Sequence, residues 1–150
     1  MQHIRPARPE DAARLAEIEI FNYRINFYPI FRNDEFYFGE LQVPSAAQEY
    51  LNDPSLLART CVYDDGVVKG FVRVNGDQIE KLFIEPALQG QGIGAQLLEF
   101  AAVQKGARWL WALEKNVRAI AFYKKHGFRT TGERIPEDDT NEYLVKMTLD

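Results

Sequence analysis

Three glycines in alternate positions, in the stretch Gln89-Gly90-Gln91-Gly92-Ile93-Gly94, sit between an apolar strand-like run at 79–84 and an apolar helix-like run at 95–104. Glycine where a helix begins lets the backbone come close to a ligand. The first N–H groups of a helix have no partner within it and stand at the positive end of its dipole. Backbone from Gly90 through Ala95 is therefore an anion site, most naturally for a phosphate or pyrophosphate. Other reactive side chains are sparse. Cys61 is the single cysteine, which excludes an intramolecular disulfide and a cysteine metal cluster, and its apolar run makes it a small core residue. His3 and His126 are too few and too far apart to form a ligand set, so no metal is expected. Neither neighbours a nucleophile elbow, so a serine hydrolase is unsupported.

The elements that must position the loop follow from periodicity and turn chemistry. Residues 2–5 read as a short edge strand ended by Pro6. Pro9, Glu10 and Asp11 suit the first turn of a helix that carries Leu15, Ile18 and Ile25 on one face. Periodicity fails over 26–42, where Phe27, Tyr28, Phe31, Phe36, Tyr37 and Phe38 crowd together. That segment is either a loop packed by its own aromatics or a lid or pocket wall. A short helix at 45–52 precedes strands at 56–63, 67–74 and 78–85, joined by the tight turns Asp65-Gly66 and Asn75-Gly76. After the glycine loop come a helix at 92–105, a strand at 108–113 and a helix at 117–126 capped by Gly127. Strands at 128–134 and 142–149 close the chain. The expected architecture is one α/β (α+β) domain over residues 1–150, with a mixed, mostly antiparallel sheet flanked by helices.

Composition narrows the partners. At 46% apolar and 13% aromatic residues the chain fills a globular core. No apolar stretch reaches the roughly 18 residues of a membrane span, and residues 1–6 lack a signal peptide's apolar segment, so a soluble cytoplasmic protein is expected. A net charge of −4 without a basic stripe argues against nucleic acid and slightly favours a cationic substrate.

The loop also satisfies a dinucleotide pattern, Gly90-x-Gly92-x-x-Ala95, with Glu114 about 20 residues on, where a ribose-binding acid belongs. Against that reading, residues 85–89 separate the first glycine from its strand, the upstream strands form an antiparallel meander, and too little chain follows for a doubly wound sheet. The string from Leu82 to Leu98 resembles instead the acetyl-CoA motif of the GNAT superfamily of N-acetyltransferases, whose core Gln/Arg-x-x-Gly-x-Gly/Ala is met by Gln89, Gly92 and Gly94. A second block resembles the family as well: Asn116, Ala119, Phe122-Tyr123 and Gly127-Phe128.

The resemblance implies acetyl transfer from acetyl-CoA, as cosubstrate and without a metal, directly to the primary amine of a small molecule or peptide. Gln89, Gly90, Gln91, Gly92, Ile93, Gly94 and Ala95 would hold the pyrophosphate. The backbone of Leu82, Phe83 and Ile84 would bond the pantetheine arm, one N–H facing the thioester carbonyl. Asn116 would cap its helix and reach the CoA arm. Tyr123 matches the family's general acid; a phenol of reference pKa about 10 stays protonated at neutral pH and can donate to a departing thiolate. Glu80, sharing strand parity with Leu82 and Ile84, is the candidate base, ahead of Glu114. Many family members carry basic residues in the loop where this chain has Gln89 and Gln91. The phosphate charge is then left to backbone dipoles and to Lys124, Lys125 or Arg129. Homodimers are common in the family. The alternative is a non-catalytic acyl-CoA-binding module for sensing or interaction.

Overall fold

The computed structural model describes residues 2–150. Strand β1 (Ile4–Pro6) is followed by a 3-10 turn (Pro9–Asp11) and helix α1 (Ala12–Asn22). The segment expected to be irregular is helical instead. α1 runs into a π-helical turn (Tyr23–Phe27), then α2 (Tyr28–Phe31) and a second π-helical turn (Glu35–Glu40). A π turn bonds five residues ahead and slips the 3.6-residue period, which is why no helical pattern is legible there. Its aromatics pack on one another as the loop reading expected, with Tyr28 edge-on to Phe38 at 5.0 Å and Phe36 edge-on to Tyr37 at 5.0 Å.

Helices α3 (Val43–Asn52) and α4 (Pro54–Ala58) follow. Residues 56–58 were expected in a strand. Asp53 overrides that: its side chain accepts from the Ser55 N–H, and Pro54 occupies the first helical position. The strand β2 begins only at Thr60 (Thr60–Asp64). β3 (Val68–Asn75) and β4 (Gln78–Ile84) complete the meander. After the glycine loop come α5 (Ile93–Gln104), β5 (Trp109–Leu113), α6 (Val117–Lys125), β6 (Phe128–Pro136) and β7 (Tyr143–Leu149).

The seven strands order as β1-β2-β3-β4-β5-β7-β6. Every pair is antiparallel except β4 with β5, which is parallel and only two residue pairs long, Gln78 with Trp109 and Ile79 with Leu110. Helices cover both faces. On one, Leu97, Leu98 and Ala101 of α5 pack on Cys61, Val72, Ile79 and Leu110. On the other, Leu15 and Ile18 of α1 and Tyr50 of α3 pack on Val62 and Phe71. Cys61 is a buried core residue, as expected, and burial pushes its thiol up. Among the described residues no helix is long and apolar enough to cross a membrane.

The sheet is tightest at Gly70 of β3. A methyl group there would meet the Phe83 carbonyl oxygen at 2.9 Å, with Ile84 Cδ1 at 2.7 Å. The carbonyl belongs to the neighbouring strand and has no room to retreat. Gly70→Ala is expected to destabilise the protein by about 1–3 kcal/mol in denaturant unfolding. A cost below about 0.5 kcal/mol would show slack between β3 and the end of β4.

Candidate active site

Beyond their two shared pairs β4 and β5 part, and a cleft of about 610 Å³ opens between them. Glu85 N–H donates to Lys69 O, so strand alternation turns the Phe83 backbone toward β3 and leaves the groups of Leu82 and Ile84 facing the gap. Phe83 contributes its ring, which meets Tyr23 edge-on at 5.5 Å. One orphaned carbonyl is satisfied from α1: the buried Asn22 Nδ2 donates to Ile84 O and to Ile18 O, both at 2.8 Å. This amide ties α1 to the open end of β4.

The glycine loop forms one wall. Gly90 (φ +84°) and Gly92 (φ +81°) adopt the left-handed conformation, and nothing lies within 4 Å of a Cβ at either. Glycine is required there by backbone angle and not by space. Gly92 O accepts from Gln96 N–H at 3.1 Å as the first bond of α5, so the N–H groups ahead of Gln96 have no carbonyl partner in the helix. Gln89, Gly90, Gly92, Ile93, Gly94 and Ala95 line the cleft. Gln91, between two left-handed glycines, is exposed and does not line it.

The opposite rim of this wall is α6. Asn116 caps the helix through a hydrogen bond from Ala119 N–H at 3.3 Å and lines the cleft. The Tyr123 ring packs between Phe122 (5.3 Å) and Phe128 (5.6 Å), and its hydroxyl has no hydrogen-bond partner among the described residues. Burial pushes its phenol well above the ordinary value of 10. Of the basic residues expected to meet phosphate, Lys125 lines the cleft and Lys124 does not. Arg129 is spent on Asp150 at 3.0 Å. Arg118, which the sequence reading missed, lines the cleft from the first turn of α6. Glu114 pairs with Arg134 through two bonds of 2.8 and 3.0 Å outside the cleft.

Across the sheet the cleft is walled by Tyr23, Asn26 and Phe27 of the π-helical turn and by Trp111 of β5. The expected pocket wall is thus the beginning of the aromatic segment, not all of it. Glu80 lines this side, but its expected parity does not hold. Arg73 pairs with Lys81 and Val74 with Ile79, so Glu80 is the extra residue of a bulge. The bulge sends Ile79 into the α5-side core with Leu82 and Ile84 and leaves Glu80 ion-paired to Arg59 at 3.1 Å.

The next residue, Lys81, belongs to a charge cluster that sequence reasoning did not find. Its ammonium donates to Glu19 Oε1 and to the Tyr23 hydroxyl. Glu19 is buried and also lies 3.6 Å from Arg73, whose guanidinium donates to Tyr50 Oη at 2.8 Å. Removing one partner of such a buried pair costs about 3–5 kcal/mol. The available signal was composition within pattern: Glu19 interrupts the apolar face of α1 and Arg73 the apolar run of β3, and charged residues seldom enter cores unpaired.

Residues 57–130 match the family model described as Acetyltransferase (GNAT) domain. The chain is similar to the peptidyl-lysine N-acetyltransferase YjaB of Salmonella typhimurium, at 31% identity over 92% of this chain and 90% of that protein. The fold is similar to the solution structure of apo YjaB from Escherichia coli, with a TM-score of 0.75 at 25% identity, covering 97% of this chain and 95% of that one. It is also similar to yncA of Salmonella typhimurium, a putative acetyltransferase solved with acetyl-CoA, with a TM-score of 0.64 at 23% identity, covering 98% and 92%.

Proposed function

The chain belongs to the GNAT family of acetyltransferases, and from that premise we propose that its 150 residues form a single cytoplasmic N-acetyltransferase domain that moves acetyl from acetyl-CoA directly to a primary amine in a ternary complex. The observation that carries this reading is the parting of β4 from β5. It makes one cleft that runs from the glycine loop, through unpaired strand backbone, to the aromatic wall of Tyr23, Phe27 and Trp111. The N–H groups from Gly90 to Ala95, with Arg118 and Lys125, hold the phosphates. Leu82 and Ile84 offer the arm their backbone, and one N–H meets the oxygen of the tetrahedral intermediate; such a donor contributes about 3–4 kcal/mol.

The neutral amine attacks the thioester carbon, the carbon–sulfur bond breaks as the Tyr123 hydroxyl donates to the departing sulfur, and the second proton leaving the nitrogen restores that hydroxyl through water. Asn116 holds the helix that presents Tyr123. Glu80 is the single carboxylate among the described cleft-lining residues and takes the ammonium's proton through water. The peptidyl-lysine activity named for the Salmonella relative supports a lysine side chain as one acceptor. Calorimetric titration tests the reading. Acetyl-CoA is expected to bind at micromolar Kd and NADH not at all, and CoA release with an amine panel then reports turnover. Binding of NADH alone would overturn it.

A further inference from the structure

The acceptor side of the cleft carries an excess of positive charge that its own carboxylate does not balance. Two cations, Lys81 and Arg73, share the single carboxylate Glu19. The two phenols in contact do not compensate: burial pushes Tyr50 up to about 12 and raises Tyr23 well above its ordinary value, so both are neutral. Carboxylates on the surrounding elements are engaged or solvated. Glu80 is paired with Arg59, Asp53 bonds Ser55, and Glu49 is exposed. Arg73 is 6% exposed, and its Nε has no hydrogen-bond partner, so the cluster is under-supplied with acceptors even in its interior. Lys81 is where the cluster reaches the cleft. An ammonium has three N–H donors. Glu19 and Tyr23 take two, and the third is free for the cleft that Lys81 lines.

Resting on the transferase reading above, we infer that Lys81 is a specificity-determining residue that docks a carboxylate carried by the acceptor beside its reactive amine. Tyr23, stacked on Phe27 at 5.3 Å and bonded to Lys81, fixes where that ammonium stands. Glu19, itself paired with Arg73, holds it from behind, so the charge is preset before the acceptor arrives and is offered in a partly dry wall. The carboxylate has two sources of the same chemistry: the α-carboxylate of a free amino acid, or an acidic side chain next to a lysine in a peptide.

Two matched pairs of acceptors separate these sources: L-leucine against leucinamide, and a lysine pentapeptide with glutamate beside the lysine against its glutamine counterpart. The protein is expected to prefer the carboxylate member of one pair, and that pair identifies the source. In Lys81→Gln the preference, read as the ratio of kcat/KM within the pair, is expected to fall on the order of 10- to 100-fold through KM. Lys81→Arg should restore most of it, and circular dichroism confirms that both variants fold. An equal loss on both members, or no preference in the unaltered protein, would overturn the inference. If no amine is acetylated, the transferase reading fails. Titrating N-acetylleucine against N-acetylleucinamide into the CoA-loaded protein then still decides the role of Lys81: carboxylate-selective binding lost in Lys81→Gln supports it, and equal binding refutes it.

Discussion

Tyr123→Phe is expected to lower kcat by about 100- to 10,000-fold while leaving the Kd for acetyl-CoA unchanged within about twofold. The substitution removes one hydroxyl and keeps the ring that packs between Phe122 and Phe128, so the wall of the cleft stays in place. What is lost is the proton donor for the thiolate, a group of reference pKa about 8–9 whose expulsion is costly without one. The pH profile adds an independent reading. Burial raises the phenol above its ordinary value of 10, so it remains protonated across the working range. The unaltered protein should therefore show a rate that climbs as the acceptor amine loses its proton, with no falling limb from Tyr123 below about pH 10. Stopped assays of CoA release between pH 6 and about pH 10 check both points. A variant with undiminished turnover would remove Tyr123 from the reaction. A protein that binds acetyl-CoA but never turns over would instead be an acyl-CoA-binding module.

Gly92→Val is expected to weaken acetyl-CoA binding by roughly 30-fold or more. Gly92 sits at φ +81° at the start of α5, a conformation that costs an ordinary L residue about 1–2 kcal/mol and a β-branched one more. Without ligand the valine loop relaxes to a negative φ, and binding then has to restore the strained angle. The space around Gly92 is open, so the variant folds and the penalty falls on binding rather than on the core. Calorimetric titration of the variant is the measurement. An unchanged Kd would show that the phosphates sit elsewhere, on Arg118 and Lys125 alone.

Gly92 was legible because its signal is local, whereas Tyr123 was picked out by the resemblance of residues 116–128 to the family's second block. A helix start, its glycines and its cap are fixed by neighbours a few positions away, so the loop and Asn116 stand where periodicity and spacing placed them. The meander, too, was announced by its two glycine turns, and its strands differ from expectation mainly at their ends. The acceptor side was not legible. Asn22 meets Ile84 and Lys81 meets Glu19 across 62 positions of sequence, and no local pattern reports such a contact. The π-helical turn hid the pocket wall for a different reason, since it changes the helical period at the point where Tyr23 and Phe27 turn inward. The bulge at Glu80 defeated a parity argument that is sound for an unbroken strand. On the acceptor side, the misses lie where the backbone leaves its regular repeat or where a polar group is satisfied from a distant element.

The short seam between β4 and β5 has a bearing on cohesion. The sheet consists of two antiparallel blocks, β1 to β4 and β5 with β7 and β6, each built from one continuous length of chain. Within the blocks β2–β3, β3–β4 and β6–β7 are short hairpins that lose little chain entropy in closing; between blocks only two residue pairs register the strands. Whatever occupies the cleft therefore lies along the joint itself. A ligand bonded to the free edge of β4 on one side and to α6 on the other takes the place of missing ladder rungs. Mass action then stabilises the folded state by about 2.7 kcal/mol when that ligand is present at a hundred times its Kd. The cosubstrate is then a structural member as well as a reactant: the two halves of the sheet are best mated when the reaction is ready to begin.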